Sequence, residues 1–152
     1  MTNRPLADDL PAERLALVLA RHGMQRMTAR VLAAFLFTEQ QTLTMADLAE
    51  ALTVSAGSVH GAVKGLMKVG LIEQVPAPGS RRDHFRIRDD AWPTLFSAQN
   101  LVTQAMVELV ESALPSTTGN GPARRRLEEM HDFYVYMLRE LPGLIDRWRA
   151  QR

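Results

Sequence analysis

The chain has 152 residues, 46% of them hydrophobic and 23% charged, with a formal net charge of +1. That length suits one compact domain or a small domain with a helical extension, and no apolar run reaches the roughly 18 residues that a membrane-spanning helix needs. The absence of cysteine removes disulfides, thiolate catalysis and cysteine-ligated metal centres together.

His22, His60, His84 and His131 show no H-E-x-x-H or other close metal spacing, and no serine, histidine and acid arrangement suggests a nucleophile. Neither an enzyme, a metal site nor a bound cofactor is expected. The N-terminal MTNRPLADDLPAERL lacks the charged start, apolar centre and cleavage site of a secretory signal, which leads to the expectation of a cytoplasmic protein. The small net charge hides an uneven distribution. Between residues 55 and 88, Lys64, Lys68, Arg81, Arg82, Arg86 and Arg88 stand against Glu73 and Asp83, so one basic segment sits on a slightly acidic body.

Pro11 followed by AERLALVLARHG predicts a first helix that ends at Gly23, with Leu15, Val18 and Leu19 on one side. From Met24 to Phe37, the residues Met27, Val31, Leu32, Phe35 and Leu36 recur at the three- and four-residue intervals of a core-facing helix. Glu39, Gln40 and Gln41 then mark a polar turn. Leu43 and Leu48 bracket Thr44 as a hydrophobic staple brackets its N-cap, and Asp47 stands where a capping-box acid belongs. A short helix to about Leu52 follows. Val54 and Val59 bracket Ser55 in the same way, so another helix starts two or three residues later, and two helices joined so tightly form a helix-turn-helix.

After Gly70, LIEQV and HFRIR read as two strands, the second alternating Phe85 and Ile87 with His84, Arg86 and Arg88. PAPGSRRD between them is a loop with two adjacent arginines near its tip. Helix-turn-helix followed by a basic hairpin is the element order of a winged helix-turn-helix domain. Beyond Asp90, Leu95, Ala98, Val102, Ala105 and Leu109 are spaced as a heptad seam, with Phe96, Met106 and Val110 beside it. TTGNGP breaks the chain. A last helix carries Leu127, Met130, Tyr134, Met137 and Leu141 on one stripe, and Pro142 is expected to end it and start a short turn with Trp148. The predicted fold class is mainly α, a winged helix-turn-helix with a two-stranded β wing and helices at both ends.

The stretch SAGSVHGAVKG, residues 55–65, holds three glycines inside a helix, each costing roughly 1 kcal/mol against alanine. A helical wheel puts Val59, Ala62, Val63 and Leu66 on one side and Gly57, Gly61, Lys64 and Lys68 opposite, flanked by His60 and Gly65. A phosphate loop lacks its sequence context here, and a slack connector does not fit the unbroken apolar side. Two readings stay open. The bare cationic face lies in the major groove of DNA, with Ser55, Ser58 and His60 hydrogen-bonding near the N-terminal end, or the glycines relieve crowding against a neighbouring helix; both can hold at different glycines. Arg81 and Arg82 either contact phosphate or the minor groove or form a solvated loop tip. Arg86 and Arg88 fit the outward face of a strand. Glu128 and Glu129 follow Arg124 and Arg125 at i+4, which makes that basic run a solvated helix face. The tyrosines and methionines of 130–137 line a ligand pocket or form a core or dimer seam.

The runs GMQRMTARVLAAFLF, LTMADLAEALTVSAGSVHGAVKGLMKVGLIEQVPAPGSRRDHFRIRDDAW and RRRLEEMHDFYVYMLRELPGLIDRWR together resemble bacterial transcriptional regulators of the MarR type, and within it the GbsR-like branch. The resemblance implies an N-terminal dimerisation helix over 1–23, a DNA-binding winged domain over 24–90 and a C-terminal helical dimerisation region over 91–152. It implies a homodimer on a pseudo-palindromic operator in double-stranded DNA, acting as a repressor that responds to a small-molecule effector. No pocket motif matches residue by residue, so the effector stays unidentified. The DNA-binding candidates are Ser55, Gly57, Ser58, His60, Gly61, Lys64, Lys68, Arg81 and Arg82. The alternative function is a winged-helix interaction module that turns the same basic face to an acidic protein.

Overall fold

The computed structural model describes residues 10–117 and 119–152. The start of the expected helical segment 1–23, and one residue of the TTGNGP break, lie outside the described residues. The chain divides between Ala91 and Trp92 into two compact units. The first holds α1 (Leu10–Arg21), α2 (Arg26–Phe37), β1 (Leu43–Thr44), α3 (Met45–Leu52), α4 (Ala56–Lys68), β2 (Ile72–Val75) and β3 (His84–Ile87). The second is built from α5 (Ala91–Ala113) and α6 (Pro122–Ala150), with a 3-10 turn at Leu114–Ser116. No helix among the described residues is long and apolar enough to cross a membrane.

In the first unit α2 is the central element, packed against α1, α3 and α4. Val31, Leu32, Leu48, Leu52, Val59, Val63, Leu66, Leu71 and Ile72 are almost free of solvent, and burial of each such side chain contributes roughly 1.5–3 kcal/mol. The face that α1 buries follows the expected one in part, since Leu15 and Leu19 are half-buried beside the residues that α1 buries fully, and Val18 is not. Ala12 and Ala16 are buried, whereas Leu17 and Val18 are each 51% exposed. α1 packs on α2, where Ala29 and Ala33 are also buried; small side chains one turn apart suit that packing, and Leu17 and Val18 turn outward. Arg30 ties this packing to the helix-turn-helix. Its guanidinium donates to Glu13 Oε1 of α1 at 3.1 Å and to the carbonyl oxygen of Leu52 at 3.2 Å, where a cation satisfies a carbonyl that the end of α3 leaves open.

The two N-caps form as their residues predict. The Thr44 side chain accepts from Asp47 N–H at 3.1 Å while Asp47 Oδ2 accepts from Thr44 N–H at 2.7 Å, a complete capping box. Ser55 Oγ accepts from Ser58 N–H at 3.3 Å. Between the two helices Thr53 adopts φ 55°. Its N–H bonds to Glu50 O at 3.1 Å and that of Val54 to Ala49 O at 3.0 Å, the pattern that closes a helix through a left-handed residue. A β-branched residue in this region costs about 1–2 kcal/mol, so the tight turn is held by the packing of α3 and α4 on either side of it.

The sheet has three strands in the order β1-β3-β2, all antiparallel, where two were expected. The additional strand is two residues long, with Leu43 opposite Phe85 and Thr44 opposite His84. Thr44 is extended as an N-cap must be, so the residue that opens α3 is already shaped to pair with β3.

In the second unit α6 runs unbroken from Pro122 to Ala150 through Pro142, and the expected break there does not occur. Proline removes one helical hydrogen bond, yet the helix and its half-buried stripe continue past it, from Leu138 and Leu141 to Ile145. Leu127, Met130, Tyr134, Met137 and Leu141 lie on that half-buried stripe as predicted. In α5 Ala91, Pro93, Val107 and Val110 are buried, while Val102 and Leu109 of the predicted seam are 64% and 68% exposed. The seam is therefore not the face α5 buries within the chain.

His131 of α6 bridges to α5. Its Nε2 lies 2.9 Å from Glu111 Oε1 and its Nδ1 3.2 Å from Asp132 Oδ1. The hydrogen bond to Glu111, then the one to Asp132, hold its pKa above the ordinary value of 6.5. Because the folded-state value is raised, the stabilisation is complete below 6.5 and is lost as pH rises through the raised value. The thermal midpoint of the protein is expected to fall across that interval, and His131→Gln to remove this component; a midpoint with the same pH dependence in both proteins contradicts the bridge. Solvent around the partly exposed ring keeps the effect modest.

Candidate nucleic-acid interface

The helix wheel of α4 is realised in the structure. Val59, Ala62, Val63 and Leu66 are buried, and Gly57, His60, Gly61, Lys64, Gly65 and Lys68 are exposed. A Cβ added at Gly61 or Gly65 meets no atom within 4 Å, and one at Gly57 meets only Ser55 Oγ at 4.0 Å. No neighbouring helix of the described chain crowds these positions, so relief of internal crowding does not account for them. From Gly57 to Gly65 the bare strip is about 12 Å long at 1.5 Å per residue.

At the N-terminal end Ser55 and Ser58 share a hydrogen bond, Oγ to Oγ at 2.8 Å. Ser55 is thus occupied as a cap, and the Ser58 hydroxyl keeps capacity for a further partner. His60, Lys64 and Lys68 line an open hollow of about 450 Å³ together with Met67, Gln74 and Phe85, between α4 and the sheet.

The wing is the β2–β3 hairpin. Its register places Glu73 opposite Arg86 and Val75 opposite His84. Arg86 binds Glu73 Oε1 through Nη2 at 2.9 Å and Nε at 3.0 Å, with Asp89 at 3.6 Å. Two carboxylates neutralise it, and it belongs to the strand surface. In the loop, Ser80 N–H bonds to Ala77 O at 3.0 Å and Gly79 has φ 83°. With Pro78 before it, this is the arrangement of a type II turn, which needs a positive φ at its third residue. Arg81 and Arg82 follow, both exposed, and neither side chain forms an ion pair among the described residues.

The first unit thus brings the candidates together as two groups, the bare cationic face of α4 and the paired arginines of the wing loop. Such an arrangement suits a polyanion with a groove: exposed guanidinium and ammonium groups neutralise phosphates, and a helix stripped of side chains allows close backbone approach. Three contacts at the foot of the wing escaped the sequence reading. His84 reaches Thr42 and Ser80, and Gln74 Nε2 donates to Asp83 Oδ1 at 2.9 Å. Only alternation along β3 bears on His84 in the sequence, and it gives direction without partners. In the second unit the stripe residues Tyr134 and Met137, with Phe96 and Phe133, line a hollow of about 190 Å³.

Residues 22–83 match a model of the MarR family, and residues 90–151 match one described as an MmpR5-like MarR family transcriptional regulator; between them the two spans take in most of the chain. The chain is similar to the HTH-type transcriptional regulator MmpR5 of Mycobacterium tuberculosis (strain ATCC 25618 / H37Rv), with 28% identity over 130 residues that cover 83% of this chain and 77% of that one. It is also similar to a solved structure described as a crystal structure of a transcriptional regulator, at a TM-score of 0.79 and 26% identity, covering 93% of this chain and 96% of the other.

Proposed function

Because the chain belongs to the MarR family of transcriptional regulators, we propose that it acts in the cytoplasm as a homodimeric repressor that binds a pseudo-palindromic operator in double-stranded DNA. The observation that carries this reading is the open face of α4, where Gly57, Gly61 and Gly65 lie among Lys64, Lys68 and His60 with no part of the described chain against them. A major groove about 12 Å wide admits one helix, and a helix without side chains on one face enters it deepest. Ser58 and His60 stand at the N-terminal end, where helix-turn-helix proteins make most of their base contacts. Arg81 and Arg82 extend the footprint to the flanking backbone or minor groove.

The dimer in this reading joins residues 1–23 and 91–152 of two copies around the winged domain of 24–90. Large exposed apolar residues on α1, α5 and α6, among them Leu17, Val102, Leu109 and Trp148, support an interface there. A small-molecule effector that changes DNA affinity belongs to the same proposal. So does the GbsR-like branch, which rests on the residues of α4, the wing loop and the terminal block, whereas the match over 90–151 is MmpR5-like.

Each phosphate neutralised contributes about −0.9 to the slope of log affinity against log salt. Arg82→Ala is expected to weaken binding to every sequence and to flatten that slope by about one unit. His60→Ala and Lys64→Ala are expected to change which sequences are preferred. An unchanged slope for Arg82→Ala removes the wing from the interface.

A further inference from the structure

His84 opens β3 at the foot of the wing and engages both ring nitrogens. Nδ1 lies 2.9 Å from Thr42 Oγ1, just ahead of β1, and Nε2 lies 3.0 Å from Ser80 Oγ at the end of the wing turn. Ser80 Oγ also accepts the backbone N–H of Arg82 at 3.1 Å. A continuous chain of contacts therefore runs from the segment leading into β1, through one imidazole, to the backbone that carries Arg81 and Arg82. Both partners are hydroxyls, which donate or accept as required, so either tautomer of His84 is satisfied. Thr42 is joined to the core through β1 and its pairing with β3, whereas Ser80 is exposed and has no such anchor of its own.

We propose that His84 is a positioning residue for DNA binding: it holds the wing turn through Ser80 and so sets the direction of the Arg81–Arg82 pair without touching DNA. A loop of this length with two long cationic side chains otherwise has to be ordered when it binds, and ordering it beforehand raises affinity with no new contact to the ligand. The type II turn and the Gln74–Asp83 contact limit the loop at its tip and stem. His84 supplies the link between the turn and the scaffold.

The inference rests on the DNA-binding reading above. Its test is a salt titration of the full chain on two duplexes of equal length, one taken from the genomic fragments it selects and one of scrambled sequence. His84→Ala is expected to weaken binding to both by about tenfold, the scale of ordering two long side chains. In a background carrying Arg81→Ala and Arg82→Ala it is expected to cause no further loss, because residues that act as a unit are not additive. His84→Gln places an amide nitrogen near the position of Nε2 and is expected to restore most of the affinity. His84→Asn reaches only towards Thr42 and is expected not to.

Ser80→Ala, at an exposed turn, is expected to reproduce the His84→Ala loss. It decides the matter by itself if His84→Ala lowers the unfolding midpoint too far for binding to be read. Equal losses in the two backgrounds, rescue by Asn and not by Gln, or a folded His84→Ala with unchanged affinity each overturn the proposal. If the unaltered protein binds neither duplex, the DNA-binding reading fails and this one with it. If Arg81→Ala with Arg82→Ala weakens binding and His84→Ala does not, only the role of His84 fails.

Discussion

Gly61→Leu is expected to make the protein more stable and to lower operator affinity on the order of a hundredfold. The two effects have separate causes. An added Cβ at Gly61 meets nothing within 4 Å and the position is exposed, so the fold leaves room for a larger side chain to turn outward. Leucine is also favoured over glycine in a helix interior by about 0.8 kcal/mol. Against DNA the sign reverses, since a helix with side chains is already about 10–12 Å across and the groove is about 12 Å wide. An isobutyl group on the facing side pushes the backbone away and disturbs neighbouring base contacts, and each good pair of such contacts is worth about 1–3 kcal/mol. Thermal unfolding and operator titration on the same preparation separate the two. A destabilised protein that still binds its operator contradicts the close approach of α4.

The second large effect concerns assembly. Val102 and Leu109 lie seven residues apart on α5, at 64% and 68% exposure, and both belong to the heptad seam visible in the sequence. Exposed in one chain, they fit burial against a second. Replacing both with glutamate is expected to retain helical content by circular dichroism, because neither side chain supports the fold of its own chain. In the proposed homodimer the two copies contribute four such side chains, and full burial of each is worth roughly 1.5–3 kcal/mol, so the dimer dissociation constant is expected to rise by at least about a thousandfold. Operator affinity then falls about a hundredfold or more, because two linked half-site contacts become separate ones. Light scattering reads the first change and DNA titration the second. A dimer that persists moves the interface to another face.

Where local chemistry decides the structure, it was legible beforehand. Thr44 with Asp47 and Ser55 mark two helix starts by cap chemistry alone, and four buried residues of α4 follow from its period. What escaped depends on partners distant in the chain. β1 is two residues long, too short for any alternation to register, and exists because an N-cap residue is already extended beside β3. Thr53 holds a left-handed turn where glycine or asparagine is the usual signal, so no local feature marks it. In α1 the larger side chains marked the buried face only in part: Leu15 and Leu19 lie half-buried beside Ala12 and Ala16, which the periodicity of large residues does not register, and Val18 is exposed. Pro142 has the local character of a helix end, yet α6 and its half-buried stripe continue through it to Ile145. The open surroundings of the three glycines of α4, which argue against crowding within the described chain, are a property of the folded chain and invisible in its letters.

The most direct measurement is selection of genomic fragments by the purified protein, followed by retardation of the enriched fragments across a salt series. Enrichment of a shared pseudo-palindrome with half-sites about one helical turn apart, bound less tightly as salt rises, is the predicted result. Failure to enrich or retard any fragment at low salt contradicts the account, and leaves the basic face of α4 and the wing to an acidic protein partner.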